Sequence, residues 1–151
     1  MNTGPAQTFN VVTTTHSEQL YDAAAKGNYT KLHQLLIMGV SPDWYCPTNQ
    51  LTPLYIAALK GKPSCVFLLL CYGADIEAPW QELNCTIVGF YTENPLLIRL
   101  FDRIYWDRDY KTCQSLLLSA QAAYTNRNEN FVEIQSCVVI SPGNEMSIFN
   151  A

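Results

Sequence analysis

The stretch Leu51–Ala78, LTPLYIAALKGKPSCVFLLLCYGADIEA, places Thr-Pro, Ala-Ala, three leucines in a row and Gly-Ala-Asp at intervals that each have a mechanical meaning. Thr52 suits a helix N-cap, where its hydroxyl accepts a hydrogen bond from an otherwise unsatisfied backbone N–H. Pro53 suits the first helical position, since the N–H it lacks would have no partner there. Ala57 and Ala58 keep that short helix thin, so that a neighbouring copy can stack closely. Gly61 ends it by taking a left-handed conformation at little cost. A second helix, about Ser64 to Cys71, is expected to present Val66, Phe67, Leu69 and Leu70 to a shared core at helical spacing, and Gly73 stops it.

Sliding this stretch back by 34 residues puts Leu54 on Leu20, Ala57 and Ala58 on Ala23 and Ala24, Gly61 on Gly27, Leu69 and Leu70 on Leu35 and Leu36, and Gly73 on Gly39. LYDAAAKGNYTKLHQLLIMG is therefore a first copy of LYIAALKGKPSCVFLLLCYG. Self-similarity at a fixed period of this length predicts a solenoid, in which each unit buries its apolar face against the next.

The pattern resembles the ankyrin repeat. The residues that carry the resemblance are Thr52-Pro53-Leu54-Tyr55-Ile56-Ala57-Ala58, Gly61, Leu68 to Leu70 and Gly73-Ala74-Asp75, in two copies at matching offsets. Tyr55 stands where the family has a histidine that makes local hydrogen bonds, and the period of 34 puts one extra residue in the hairpin finger between Gly39 and Thr52. The expectation is an all-α, short ankyrin-type solenoid of helix-turn-helix units with hairpin fingers and a divergent helical cap.

A third copy follows on the same register. Thr86 lies 34 residues after Thr52, and TIVGFYTENPLLIRLFDRIYW divides into a helix near Thr86–Tyr91, a break at Asn94-Pro95 and a second helix carrying Leu100, Phe101 and Ile104. A competing register aligns Asp109–Ala120, DYKTCQSLLLSA, with Asn28–Gly39, NYTKLHQLLIMG. It leaves a long loop from Pro79 to about Asn94, and the first register is preferred because long structureless loops are uncommon in compact domains. The expected organisation is an N-terminal segment 1–16, units at about 17–50, 51–84 and 85–108, a cap over 109–140 and a tail over 141–151. Ser17 is expected to cap the first helix. The cap is expected to hold an amphipathic helix over Asp109–Tyr124 and a last helix or strand over Phe131–Ile140.

The chain has 151 residues, 48% apolar and 15% charged, which suits one packed domain, and its net charge of -4 leaves no basic stripe for phosphates. Nucleic acid and membrane surfaces are therefore not expected partners. The longest apolar run, Cys65–Cys71, falls far short of the ~20 residues a spanning helix needs. The N-terminus MNTGPAQTFNVVTTTHSEQ lacks the basic start and apolar centre of a secretory signal, so the expected location is cytoplasmic or nuclear. The six cysteines fall in no CxxC pair and are read as reduced, mostly buried thiols.

Little chemistry rides on this frame. The two histidines are His16, before the first helix, and His33, read as a plain surface side chain; neither comes with a nucleophile partner or ligand spacing. Asp107 with Asp109, and Glu129 with Glu133, are read as solvated charges, and no cofactor, metal or small-molecule substrate is expected. The reading is a non-catalytic protein-interaction module, a small adaptor or decoy. The alternative is an enzyme or metal protein with its site in the divergent region 94–113, where RIYWDRDYKTC gathers charges. The resemblance carries the contact surface over to hairpin tips and helix ends: Trp44, Tyr45 and Leu51 in the first finger, Lys26, Leu59 and Lys60 at helix ends, and Pro79, Trp80, Gln81 and Glu82 in the second finger. Two arrangements fit Trp44 and Trp80, contact with a partner or folding back onto the helices and between fingers.

Overall fold

The computed structural model describes residues 15–136, with side chains described through residue 127. The described elements are helices α1 (His16–Lys26), α2 (Tyr29–Ile37), α3 (Pro53–Leu59) and α4 (Pro63–Cys71), strands β1 (Pro79–Trp80) and β2 (Cys85–Thr86), then α5 (Ile87–Glu93), α6 (Pro95–Ile104) and α7 (Tyr110–Ser136). The two strands form one antiparallel hairpin, Pro79 opposite Thr86 and Trp80 opposite Cys85. This is the expected helical solenoid with fingers. Helices α1, α3 and α5 form the inner row, and the two described fingers lead into α3 and α5.

Local sequence sets the helix limits. The Thr52 hydroxyl accepts from the Tyr55 N–H and Pro53 opens α3. At α1 the cap is Thr15 and not Ser17. Thr15 accepts from the Glu18 N–H, the Glu18 carboxylate accepts from the Thr15 N–H, and this reciprocal box needs the three-residue spacing that Ser17 lacks. Gln50 and Asn84, one period apart, both take left-handed φ values of 60° and 49°, so the two fingers share the same backbone turn before their inner helices.

The core runs through Leu20, Ala23 and Ala24 of α1, Leu32, Leu35 and Leu36 of α2, Leu54, Ala57 and Ala58 of α3, and Val66 and Leu69 of α4. Phe67 is not in it. At 100° per residue, Cys65, Val66, Leu68 and Leu69 share one arc of α4 and are buried, while Phe67 projects from the opposite face, 53% exposed. Burial also pushes the Cys65 thiol up to about 11 and the Cys113 thiol up to about 12, and raises the Tyr91 phenol. Above the unfolded thiol range, near pH 9, the unfolded chain loses protons that the folded chain keeps, so stability falls as pH rises. Denaturant midpoints measured from pH 7 to 11 are expected to hold flat to about pH 8.5 and then drop. A midpoint that stays flat to pH 11 would contradict this burial.

The third unit departs from the expected register. Its inner helix α5 begins after Thr86, whose hydroxyl accepts from the Gly89 N–H as Thr52 does one period earlier. Its outer helix is α7 and not the segment after Pro95. Helix α4 packs against α7 as α2 packs against α4. The Asp109 carboxylate caps α7 through the Thr112 N–H as Asn28 caps α2 through the Lys31 N–H, and Cys113 and Leu117 are buried where Leu32 and Leu36 are. Lys62 and Asp109 stand before equivalent helices, 47 positions apart where the period is 34, and the surplus is α6 with the turn that follows it. Both registers considered from sequence thus hold for one helix each. Because the surplus is helical, no long loop is needed. Leu100 and Ile104 consequently lie on an exposed face of α6, at 49% and 57%, with Ile98 its buried residue.

Gly61 shows how tightly the third unit closes on the second. Its φ is +63°, its carbonyl accepts from the Asp109 N–H at 2.9 Å, and a Cβ there would lie 2.7 Å from Arg108 Cβ. Gly61→Ala is expected to cost about 3 kcal/mol, from left-handed strain plus overpacking. Gly39→Ala, at φ +94° with nothing within 4 Å of the new Cβ, is expected to cost only the strain, about 1 kcal/mol. Equal losses on chemical denaturation would remove the close approach from the account.

Helix α7 runs unbroken from Tyr110 to Ser136 where two elements are expected, since AQAAYTNRNEN holds neither proline nor glycine to stop it. The expectation for residues 137–151 lies outside the described residues, as does that for residues 1–14.

Candidate interaction surface: fingers and inner helices

The finger residues are held by tyrosines of the inner helices. Tyr21 on α1 and Tyr55 on α3 occupy the same position of the period. The Tyr21 hydroxyl donates to the Asn49 side chain at 3.0 Å, and the Tyr55 hydroxyl donates to the Cys85 carbonyl at 3.0 Å. Tyr55 thus holds the second finger as Tyr21 holds the first, and burial raises its phenol far above the usual range. Each tyrosine also meets a tryptophan edge-to-face: Tyr21 with Trp44 at 6.0 Å, Tyr55 with Trp80 at 6.1 Å between centroids.

The two fingers are tied together. The Trp80 indole N–H donates to the Asn49 carbonyl, the Tyr45 hydroxyl to the Pro79 carbonyl, and the Asp75 N–H to the Asp43 carboxylate at 2.8 Å. Of the two arrangements open for the tryptophans, the folded-back one forms. Trp44, Tyr45 and Trp80 are half-buried, each keeping part of its surface in solvent, while Gln81 and Glu82 at the second tip are exposed. Leu51 is a correction. It lies 4% exposed at the root of the first finger, in the core, because its backbone carbonyl accepts from Cys46 and draws the finger shut over it.

The helix-end residues form a separate group. Lys26 is exposed and pairs with Asp22 at 3.1 Å, and Leu59 and Lys60 are half-buried. Glu18 and Lys26 are two turns apart on α1, about 12 Å, so the residues carried over from the resemblance divide between the finger end and the helix-turn end of the stack. Beside the residues singled out from sequence stand Leu83, 57% exposed next to Gln81 and Glu82, and the inner-helix residues Glu18, Tyr21 and Asp22, which line a pocket with Trp44. Their spacing along α1 was the available signal.

Four charged residues of the 94–113 region, Asp102, Asp107, Arg108 and Asp109, are engaged within the fold. Asp102 accepts from the Tyr110 N–H, and Asp109 accepts from both the N–H and the hydroxyl of Thr112, which hold its carboxyl below the ordinary range. The Arg108 guanidinium lies 3.6 Å over the Tyr105 ring and donates to the Tyr110 hydroxyl, and Asp107 pairs with Lys62. Among the described residues no group of three or more His, Cys, Asp or Glu side chains is placed to hold a metal ion. Trp106, 92% exposed in the turn after α6, is the most exposed aromatic described. The five described cysteines are unpaired: Cys65 and Cys113 buried, Cys46 and Cys85 half-buried, Cys71 exposed. No described helix is long and apolar enough to cross a membrane.

Residues 49–80 match the family model of the ankyrin repeat. The helix-turn-helix stack around this match has the same architecture, so the match and the fold agree on an ankyrin-type repeat in this part of the chain. Among curated proteins it is similar to the ARF GTPase-activating protein Git of Drosophila melanogaster, 36% identical over 62 residues, which is 41% of this chain and 8% of that protein. It is also similar to the ARF GTPase-activating protein GIT1 of Homo sapiens, 35% identical over 63 residues, 42% of this chain and 8% of that protein. The match thus spans a small part of either relative's length.

Proposed function

We propose that the chain is a non-catalytic protein-interaction module, an adaptor or decoy in the cytoplasm or nucleus, that holds a protein partner along its fingers and inner helices. The observation that carries this reading is the linked finger row. Trp44, Tyr45 and Trp80 are fixed by hydrogen bonds and edge-to-face contacts yet keep solvent-facing surface, beside exposed Gln81, Glu82 and Leu83. Aromatic side chains already ordered lose little entropy on binding, which suits them as anchors. Ankyrin repeats serve generally as protein-binding units, and the unpaired thiols suit a reducing compartment. An acidic chain with no cation on either finger suits a protein partner better than nucleic acid.

Affinity capture from cell extract tests this, with the wild-type chain beside Trp44→Ala/Trp80→Ala and both checked for helical content by circular dichroism. Capture by the wild type and loss by the folded double variant is the expected result. Equal capture by both would overturn the finger surface.

A further inference from the structure

The chemistry of the partner can be read from the pocket between α1 and the first finger. Glu18, Tyr21, Asp22, Trp44, Cys46 and Pro47 line an open surface pocket of about 360 Å³. Its aromatic side is the Tyr21–Trp44 pair, fixed edge-to-face, with Tyr21 anchored on Asn49. Its other side carries two carboxylates one turn apart on α1. Glu18 uses one oxygen on the Thr15 N–H, and among the described residues Asp22 is engaged only by the exposed Lys26, a pair that solvent screens heavily.

Apart from Lys26, which pairs with Asp22, the charge around this pocket is negative. The sequence has no Lys or Arg between Lys31 and Lys60 or between Lys62 and Arg99, so both fingers lack cations and carry Asp43, Asp75, Glu77 and Glu82. Residues 1–15 also lack Lys and Arg, so the chain's own N-terminal segment offers no basic side chain for the pocket. An apolar aromatic wall facing carboxylates, in an acidic surrounding, complements a cation on an apolar stem.

We infer that this pocket takes the side chain of an arginine or lysine from a basic, extended segment of the partner protein, its stem against Trp44 and its charged head between Glu18 and Asp22. This rests on the interaction-module reading and names the class of segment that module holds. A guanidinium or ammonium there gains from both carboxylates and from the ring faces, while the acidic fingers steer the segment in and repel acidic competitors.

The test is titration of the isotope-labelled chain, followed by amide and indole N–H resonances, with a short acetylated peptide of alternating alanine and arginine and with its glutamine counterpart. The arginine peptide is expected to shift the Trp44 indole and the amides of Glu18 to Asp22, and to lose at least tenfold in affinity for Glu18→Gln/Asp22→Asn. Glutamine at residue 18 can still close the capping box, so the variant retains α1. Equal shifts from both peptides, shifts only at other surfaces, or an indole unmoved by either would overturn the pocket assignment, whatever else fills it. Capture from extract separates this from the broader reading: a partner lost by Trp44→Ala/Trp80→Ala but kept by Glu18→Gln/Asp22→Asn would leave the finger module standing and the cation pocket refuted.

Discussion

Tyr91→Ala is expected to destabilise the chain by about 4 kcal/mol, although it restores the residue that the two preceding units carry at this position. In α1 and α3 the position holds Ala23 and Ala57, and those helices pack with their backbones close together. Helix α5 does not approach α3 in the same way. The fully buried Tyr91 ring fills the wider gap, and its hydroxyl donates to the Ala58 carbonyl at 2.8 Å. Tyr110, whose ring lies 6.5 Å from that of Tyr91, donates to the Leu59 carbonyl at 2.7 Å. Two tyrosines of the third unit thus satisfy carbonyls at the C-terminal end of α3, groups that a helix end leaves without intrahelical partners. Removing the Tyr91 ring leaves a cavity and takes a donor from the Ala58 carbonyl, which also accepts from the Gly61 N–H. Tyr91→Phe keeps the ring and is expected to cost about 1 kcal/mol. A near-neutral Tyr91→Ala on chemical denaturation would mean that α5 can close onto α3 as α3 does onto α1.

Trp44→Ala is expected to weaken binding to the captured partner at least ~30-fold while lowering stability by only about 1 kcal/mol. The two costs separate because Trp44 makes a single ring contact, with Tyr21, and its indole N–H donates to no described residue. Trp80 differs. Its indole donates to Asn49 and its ring meets the buried Tyr55, so Trp80→Ala is expected to loosen the link between fingers as well as the contact surface. Affinity by surface plasmon resonance and stability by denaturant titration, run on both variants, should give one variant defective mainly in binding and one defective in both. Full affinity in a folded Trp44→Ala chain would remove the first finger from the interface.

What the sequence made legible is what is local and periodic. Thr52-Pro53, the alanine pairs and the glycine stops each act within a few residues, and the recurrence of the alanine pairs and glycines after 34 residues identified the first two units. The third unit hid because its outer helix is displaced by an inserted helix. Cys113, Leu116 and Leu117 carry the pattern of Leu32, Leu35 and Leu36, but at an offset that the period does not predict. Ser17 and Phe67 misled by composition, since a reciprocal cap and a buried arc depend on spacing that single residues do not show.

The proposed contact surface was legible only in outline. Aromatic residues stood out in both fingers, but their folding back depends on Tyr21 and Tyr55, which lie in other elements. Leu51 reads like Trp44 and Tyr45 in sequence, yet it sits at the root of the finger and is buried. The pocket on α1 needed Glu18, Asp22 and Trp44 to be brought together by the fold.

Backbone hydrogen exchange, measured on the free chain and on the chain with its captured partner, tests the central claim most directly. The account predicts slowed exchange in residues 16–22, 43–50 and 79–84, with the exposed face of α6 unchanged. Protection confined to residues 95–109, around Leu96, Leu100, Ile104 and Trp106, with both fingers exchanging as in the free chain, would contradict it.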